Sequence, residues 1–186
     1  MKKFLAIFFI IVAANFSVAR AGVIKISEID VQQFVHSIAG VIYSEEFQKE
    51  IPLFISNAAK FENAELPEIG SAAYVCQYGL KTATAPEGEI IFFVDGEEKV
   101  SALKIVGYSA DSAKDSVVLL MLTLSTLGLT QADAEFLVNN LNDDEFLASS
   151  IVWSEAKQRC FVLMAGARTQ SEEGFQFMLI ASDKKD

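Results

Sequence analysis

Val117–Leu129 reads Val-Val-Leu-Leu-Met-Leu-Thr-Leu-Ser-Thr-Leu-Gly-Leu, and its placement decides the fold. Its 13 residues fall short of the roughly 20 that a helix needs to cross a bilayer. A water-soluble chain can hide such a run only at its centre. The flanks point to a helix. Ser112 stands three residues before Asp115, in the manner of a capping box, although Asp is weaker there than Glu or Gln. Gly128 suits a left-handed helix end. Apolar residues fall on every face between these limits, the pattern of a helix buried on more than one side. The run is expected to be the central helix of one domain.

Working outward, the N-terminus has its own logic. Lys2 and Lys3 precede an apolar core, Phe4–Ala14, and Ala19-Arg20-Ala21 forms an A-x-A cleavage site. That is the pattern of a secretory signal peptide over residues 1–21, cut before Gly22. It leads to a single domain over 22–186, located in the periplasm or secreted, with no membrane span after cleavage. A length near 165 residues is enough for a full hydrophobic core (;).

The signal carries Lys2, Lys3 and Arg20, so the remaining chain holds 12 basic and 25 acidic residues, a net charge of −13. Phosphate backbones need clustered Lys and Arg, so nucleic acid is a poor partner. Anionic membrane surfaces are poor partners for the same reason. A basic protein or a cation is compatible with this charge, and acidity by itself keeps an exported protein soluble.

Cys76 and Cys160 are the only cysteines. In an oxidising compartment two cysteines usually form one disulfide. A Cys76–Cys160 bridge would close a loop of about 85 residues and stabilise by at most roughly 4–5 kcal/mol. No C-x-x-C redox pair occurs.

Along the chain, Val31, Phe34, Val35, Ile38 and Ile42 make a helical stripe after Ser27-Glu28-Ile29-Asp30 (;). Residues 28–62 read as two or three helices. Glu62–Ser71 reads as a loop. Tyr74, Cys76, Tyr78 and Leu80 alternate as a strand, Ile90–Val94 is a second, and Val100–Tyr108 returns as a third after the Asp95-Gly96 turn. After the central helix, Thr130-Gln131-Ala132-Asp133 opens another, ending in the Asx-rich stretch 139–144. Ile151–Trp153, Cys160–Ala165 and Phe175–Ile180 supply the last strands, and the tail from Ser182 is expected to fray. Helices and strands in blocks indicate α+β. The expectation is an antiparallel sheet of about five or six strands packed on a buried central helix, with an N-terminal helical segment. This order is similar to that of small secretion chaperones, in architecture alone.

Catalytic chemistry finds little support. The only histidine, His36, lies off the apolar stripe of its helix. There is no G-x-S-x-G elbow. S-x-x-K occurs twice, at Ser101–Lys104 and Ser154–Lys157, without supporting motifs. One histidine and two distant cysteines make no zinc site. Asn140, Asn142, Asp143, Asp144 and Glu145 lack the glycine and closing glutamate of a calcium loop. Glu45/Glu46, Glu97/Glu98 and Glu172/Glu173 are sequence neighbours, which diverge on either helix or strand. No catalytic residue, metal or cofactor is assigned. The aromatic strand residues Tyr74, Tyr78, Phe92 and Phe175 are the candidate binding residues, should one sheet face be open. Ordinary core packing is the competing reading. The sequence therefore suggests an exported, non-enzymatic binding protein, an inhibitor- or chaperone-like module for an envelope or secreted protein. The alternatives are a carrier of a small apolar ligand, or a hydrolase-type enzyme whose acid–base pair comes from residues far apart in sequence.

Overall fold

A computed structural model describes residues 23–61, 72–144, 147–169 and 172–183. The chain forms β1 (Val23–Ile24), α1 (Val31–Ile42), α2 (Glu45–Glu50), β2 (Leu53–Ile55), β3 (Ala59–Phe61), β4 (Ala72–Leu80), β5 (Gly88–Val94) and β6 (Val100–Gly107). A 3-10 turn at Ala110–Ser112 runs into α3 (Ala113–Thr126), followed by α4 (Gln131–Asn139), β7 (Asn142–Asp144), β8 (Leu147–Ser154), β9 (Arg159–Thr169) and β10 (Glu172–Ser182). The fold is α+β.

The central helix forms as its sequence dictates. From Asp115 to Leu124 no residue is exposed, and Val117, Val118, Met121 and Leu122 form a half-buried side. Leu119, Leu120 and Leu124 point into the core, and Leu→Ala at such a site costs about 2–5 kcal/mol. Gly128 closes the helix with φ +76. In α1, Asp30 accepts a hydrogen bond from the Gln33 amide at 2.9 Å, and the five stripe residues are all buried. His36 is exposed.

The helical reading of 28–62 holds only as far as Glu50. Pro52 keeps the preceding residue out of the helical region, and Ile51 is extended at φ −135 and ψ 97. Leu53-Phe54-Ile55 then pairs with Tyr78–Leu80 of β4. A short apolar run fits a strand as well as a helix, and the neighbouring edge of β4 settles the choice.

The sheet runs β2-β4-β5-β6-β10-β9-β8-β7, with every pairing antiparallel. It is larger than the expected five or six strands. Eight lie on the main path, while β3 also pairs with β4 and β1 with β10. The additional strands are two or three residues long, too short for an alternating pattern to register. Ser182, expected in a frayed tail, pairs with Val23 of β1. The segments Glu62–Ser71 and 184–186 lie outside the described residues.

The described helices all pack on one face of the sheet. Phe34 and Ile38 of α1, the leucines of α3, and Ala134 and Leu137 of α4 meet Phe92, Leu103, Leu163 and Leu179 there. Phe34 and Phe92 touch edge to face, with centroids 5.5 Å apart. A second, smaller cluster occupies the opposite face, on which no described helix packs.

This geometry overturns the disulfide. Cys76 and Cys160 are both buried and are not joined as a disulfide. Cys76 shares the helix-side cluster with its partner Ile90. Cys160 alternates with Phe161 and Leu163, which face the helices, and so points to the other side. Four strand spacings separate β4 from β9, about 19 Å. A bridge needs Cα atoms within about 7 Å.

Candidate functional site

Antiparallel registry places the four aromatic candidates in two lateral rows on the helix side. Tyr74 pairs with Phe92 in one row. The other row runs Tyr78, Gly88, Gly107, Phe175. Tyr78 and Phe92 are fully buried. Phe175 is half-buried against the same core and meets Phe177 edge to face at 5.5 Å. Tyr74 is half-buried, and its hydroxyl donates to Glu98 at 3.1 Å, where Lys60 also forms an ion pair at 3.0 Å. The structure thus places these rings in or against the core beneath the helices. Alternation alone could not say which sheet face the helices would cover.

Around Tyr78 the core becomes polar. Its hydroxyl donates to the Val106 carbonyl at 3.1 Å and shares a short hydrogen bond with Ser116. Ser116 in turn reaches the Ser112 carbonyl at 2.9 Å. Beside it lies a carboxyl pair that sequence reasoning missed. Asp115, in the first turn of α3, lies close to Glu87, which precedes β5. Burial first, then the nearby Glu87 charge, holds the Asp115 carboxyl above its ordinary range. Glu87 also accepts from the Leu80 amide at 3.1 Å. The two residues are 28 apart in sequence, so no spacing rule could have joined them.

The opposite face, which no described helix covers, has a different character. One row crosses it through Ala73, Phe93, Ala102, Ile180 and Val162, on β4, β5, β6, β10 and β9. Phe61 on β3 continues that row at one end and Ile151 on β8 at the other. A second row sets Ile91, Lys104, Met178 and Met164 alongside. The five central residues of the first row are 0–8 % exposed, whereas Phe61 is 57 % and Ile151 46 % exposed. A continuous apolar stripe of this kind suits an apolar segment of a protein laid across the strands. The pattern of alternation contains it, since Phe93, Val162, Met164, Met178 and Ile180 alternate with helix-facing residues. What the sequence lacked was the order of the strands.

Among the described residues no three His, Cys, Asp or Glu side chains converge as a metal site. No protein-family model, curated protein or solved structure matches the chain.

Proposed function

We propose that this is an exported, non-enzymatic binding protein, an inhibitor- or chaperone-like module for another envelope or secreted protein. The observation that carries the reading is the exposure of Phe61 and Ile151 at the two ends of an apolar row on the sheet face that no described helix covers. An acidic chain, at −10 overall, steers a partner that bears basic residues around its apolar segment. The site proposed from sequence moves accordingly, from the aromatic rows under the helices to the opposite face.

The test is site-specific photo-crosslinking in the export compartment. One crosslinker replaces Ile151 on the rim, and a control replaces Phe136, which is 48 % exposed on α4. A partner adduct from position 151, absent from 136 and weakened by salt, supports the reading. Equal adducts from both, or none from 151, count against it. Native mass spectrometry of the same material separates the carrier alternative, because a carrier retains the mass of a small apolar molecule.

The Glu87–Asp115 pair is the one observation favouring the enzyme reading. A carboxyl raised above its ordinary range beside a second carboxylate is a pairing used in acid–base catalysis (;). Asp115→Asn separates the two readings: a binding module keeps its crosslink from position 151, and an enzyme loses turnover with its fold intact.

A further inference from the structure

We propose that the outer edge of β8 receives an extended, basic-flanked segment of the partner as an added strand. This mode of binding rests on the reading of Ile151, at the end of the apolar row, as a partner contact. β8 runs from Leu147 to Ser154 and pairs with β9 along its whole length without a bulge. On its other side β7 pairs only with Leu147, Ala148 and Ser149. Ser150, Ile151 and Val152 therefore have no second strand beside them among the described residues. The backbone donors and acceptors on that side form an open row, the template on which another strand assembles.

The two ends of the sheet treat their edges differently. At β2 the chain closes the edge, with Tyr43 and Gln48 bonding the backbone groups of Leu53 and Ile55. At β8 the devices that block pairing are missing. Ser149–Ser154 contains no charge and no proline, and its Ile, Val and Trp are favoured in strands. Ile151, 46 % exposed, stands on the face that no described helix covers, whereas Ser150 and Val152 turn towards the helices. Ser150 is 5 % exposed, and its Oγ has no hydrogen-bond partner among the described residues. A hydroxyl-bearing residue at the facing position of an added strand supplies one.

Charge selects the occupant. From Thr130 to Ala156, through α4, β7 and β8, the chain carries Asp133, Glu135, Asp143, Asp144, Glu145 and Glu155 and no lysine or arginine. α4 packs on β8 and β7 pairs with it, so this acidic stretch of chain brackets the open, uncharged edge. A strand whose centre alternates apolar and hydroxyl residues and whose ends are lysine or arginine matches that pattern. A second copy of this chain does not, because edge-to-edge pairing sets the same acidic residues against their counterparts.

The probe is the peptide Lys-Lys-Val-Thr-Val-Thr-Val-Lys-Lys, added to the protein recovered from the export compartment while amide hydrogen exchange is followed residue by residue by NMR. The expected result is exchange slowed roughly ten-fold at the outward-facing amides of Ser149–Val152, with Leu53–Ile55 at the closed edge unchanged. Replacing the central Thr-Val of the peptide by Pro-Pro keeps its charge but prevents strand pairing, and should abolish the slowing. Replacing the four lysines by glutamates should weaken it roughly ten-fold. No slowing with the first peptide overturns the added strand. So does equal slowing with the Pro-Pro peptide, which means side-chain contact alone, or with the glutamate peptide. Slowing that follows protein concentration without any peptide means that a second copy holds the edge, and overturns it as well. A partner adduct from position 151 beside an unresponsive edge leaves the binding reading standing and removes the added strand. A responsive edge without an adduct removes the reading and keeps the edge as a strand acceptor.

Discussion

Gly88 and Gly107 stand opposite each other on β5 and β6, and each lies under an aromatic ring, Tyr78 over the first and Phe175 over the second. Neither position has room for a side chain. A Cβ on Gly88 would strike the Val106 carbonyl oxygen and the Tyr78 ring, and one on Gly107 would stand 2.6 Å from both the Phe175 ring and Ser112 Oγ. Overpacking of this kind costs about 1–3 kcal/mol, occasionally more. Gly88→Ala is expected at or above the top of that range, because backbone cannot turn aside. Gly107→Ala is expected lower, because the half-buried Phe175 ring can. Urea denaturation of the two variants gives the order.

The carboxyl pair makes stability depend on pH. Asp115 has a raised folded-state pKa, so the folded chain holds that proton more tightly than the unfolded chain. The stabilisation is fully present below the unfolded value and is lost as pH rises through the folded one. Asp115→Asn removes this dependence. Its melting temperature is expected to match the wild type near pH 3 and to exceed it at pH 7. Equal temperatures at both values would show that Asp115 titrates as an ordinary carboxyl.

The two buried cysteines are expected to be reduced and unreactive. Burial pushes the Cys76 thiol up to about 12, so almost none is thiolate at neutral pH. Iodoacetamide should label neither cysteine in the native protein and both in the denatured, unreduced protein. An intact mass two hydrogens light would contradict this.

The outer edge of β2 is closed by side chains. Tyr43 donates its hydroxyl to the Ile55 carbonyl at 2.7 Å and accepts from the Ile55 amide at 3.1 Å. Gln48 donates to the Leu53 carbonyl at 2.7 Å. An open edge invites another strand. Tyr43→Phe should cost about 1–3 kcal/mol for the unsatisfied strand groups. It should also increase concentration-dependent self-association, which light scattering would detect.

The parts legible in the sequence are those set by local periodicity. The central helix, its glycine end, the stripe of α1 and the β4–β5–β6 meander all follow from spacing and turn chemistry. The parts that were not legible depend on which elements become neighbours. Leu53-Phe54-Ile55 takes the edge of β4 despite a helical flank. Cys76 and Cys160 fall on opposite faces because parity, not separation, fixes side-chain direction in a strand. The aromatic rows were read correctly as strand positions, but whether helices cover them is a property of chirality and packing that one sequence does not display. Glu87 and Asp115 meet only because β5 and α3 converge at one end of the sheet.

The position of β10 has a consequence for when this protein can fold. β10, the last described strand, joins the β2–β6 half of the sheet to the β7–β9 half. A growing chain therefore cannot close its core until β10 has left the ribosome, and no fragment that lacks β10 contains a completed sheet. Late closure of this kind prolongs the unfolded state, and the delay comes from the strand order itself.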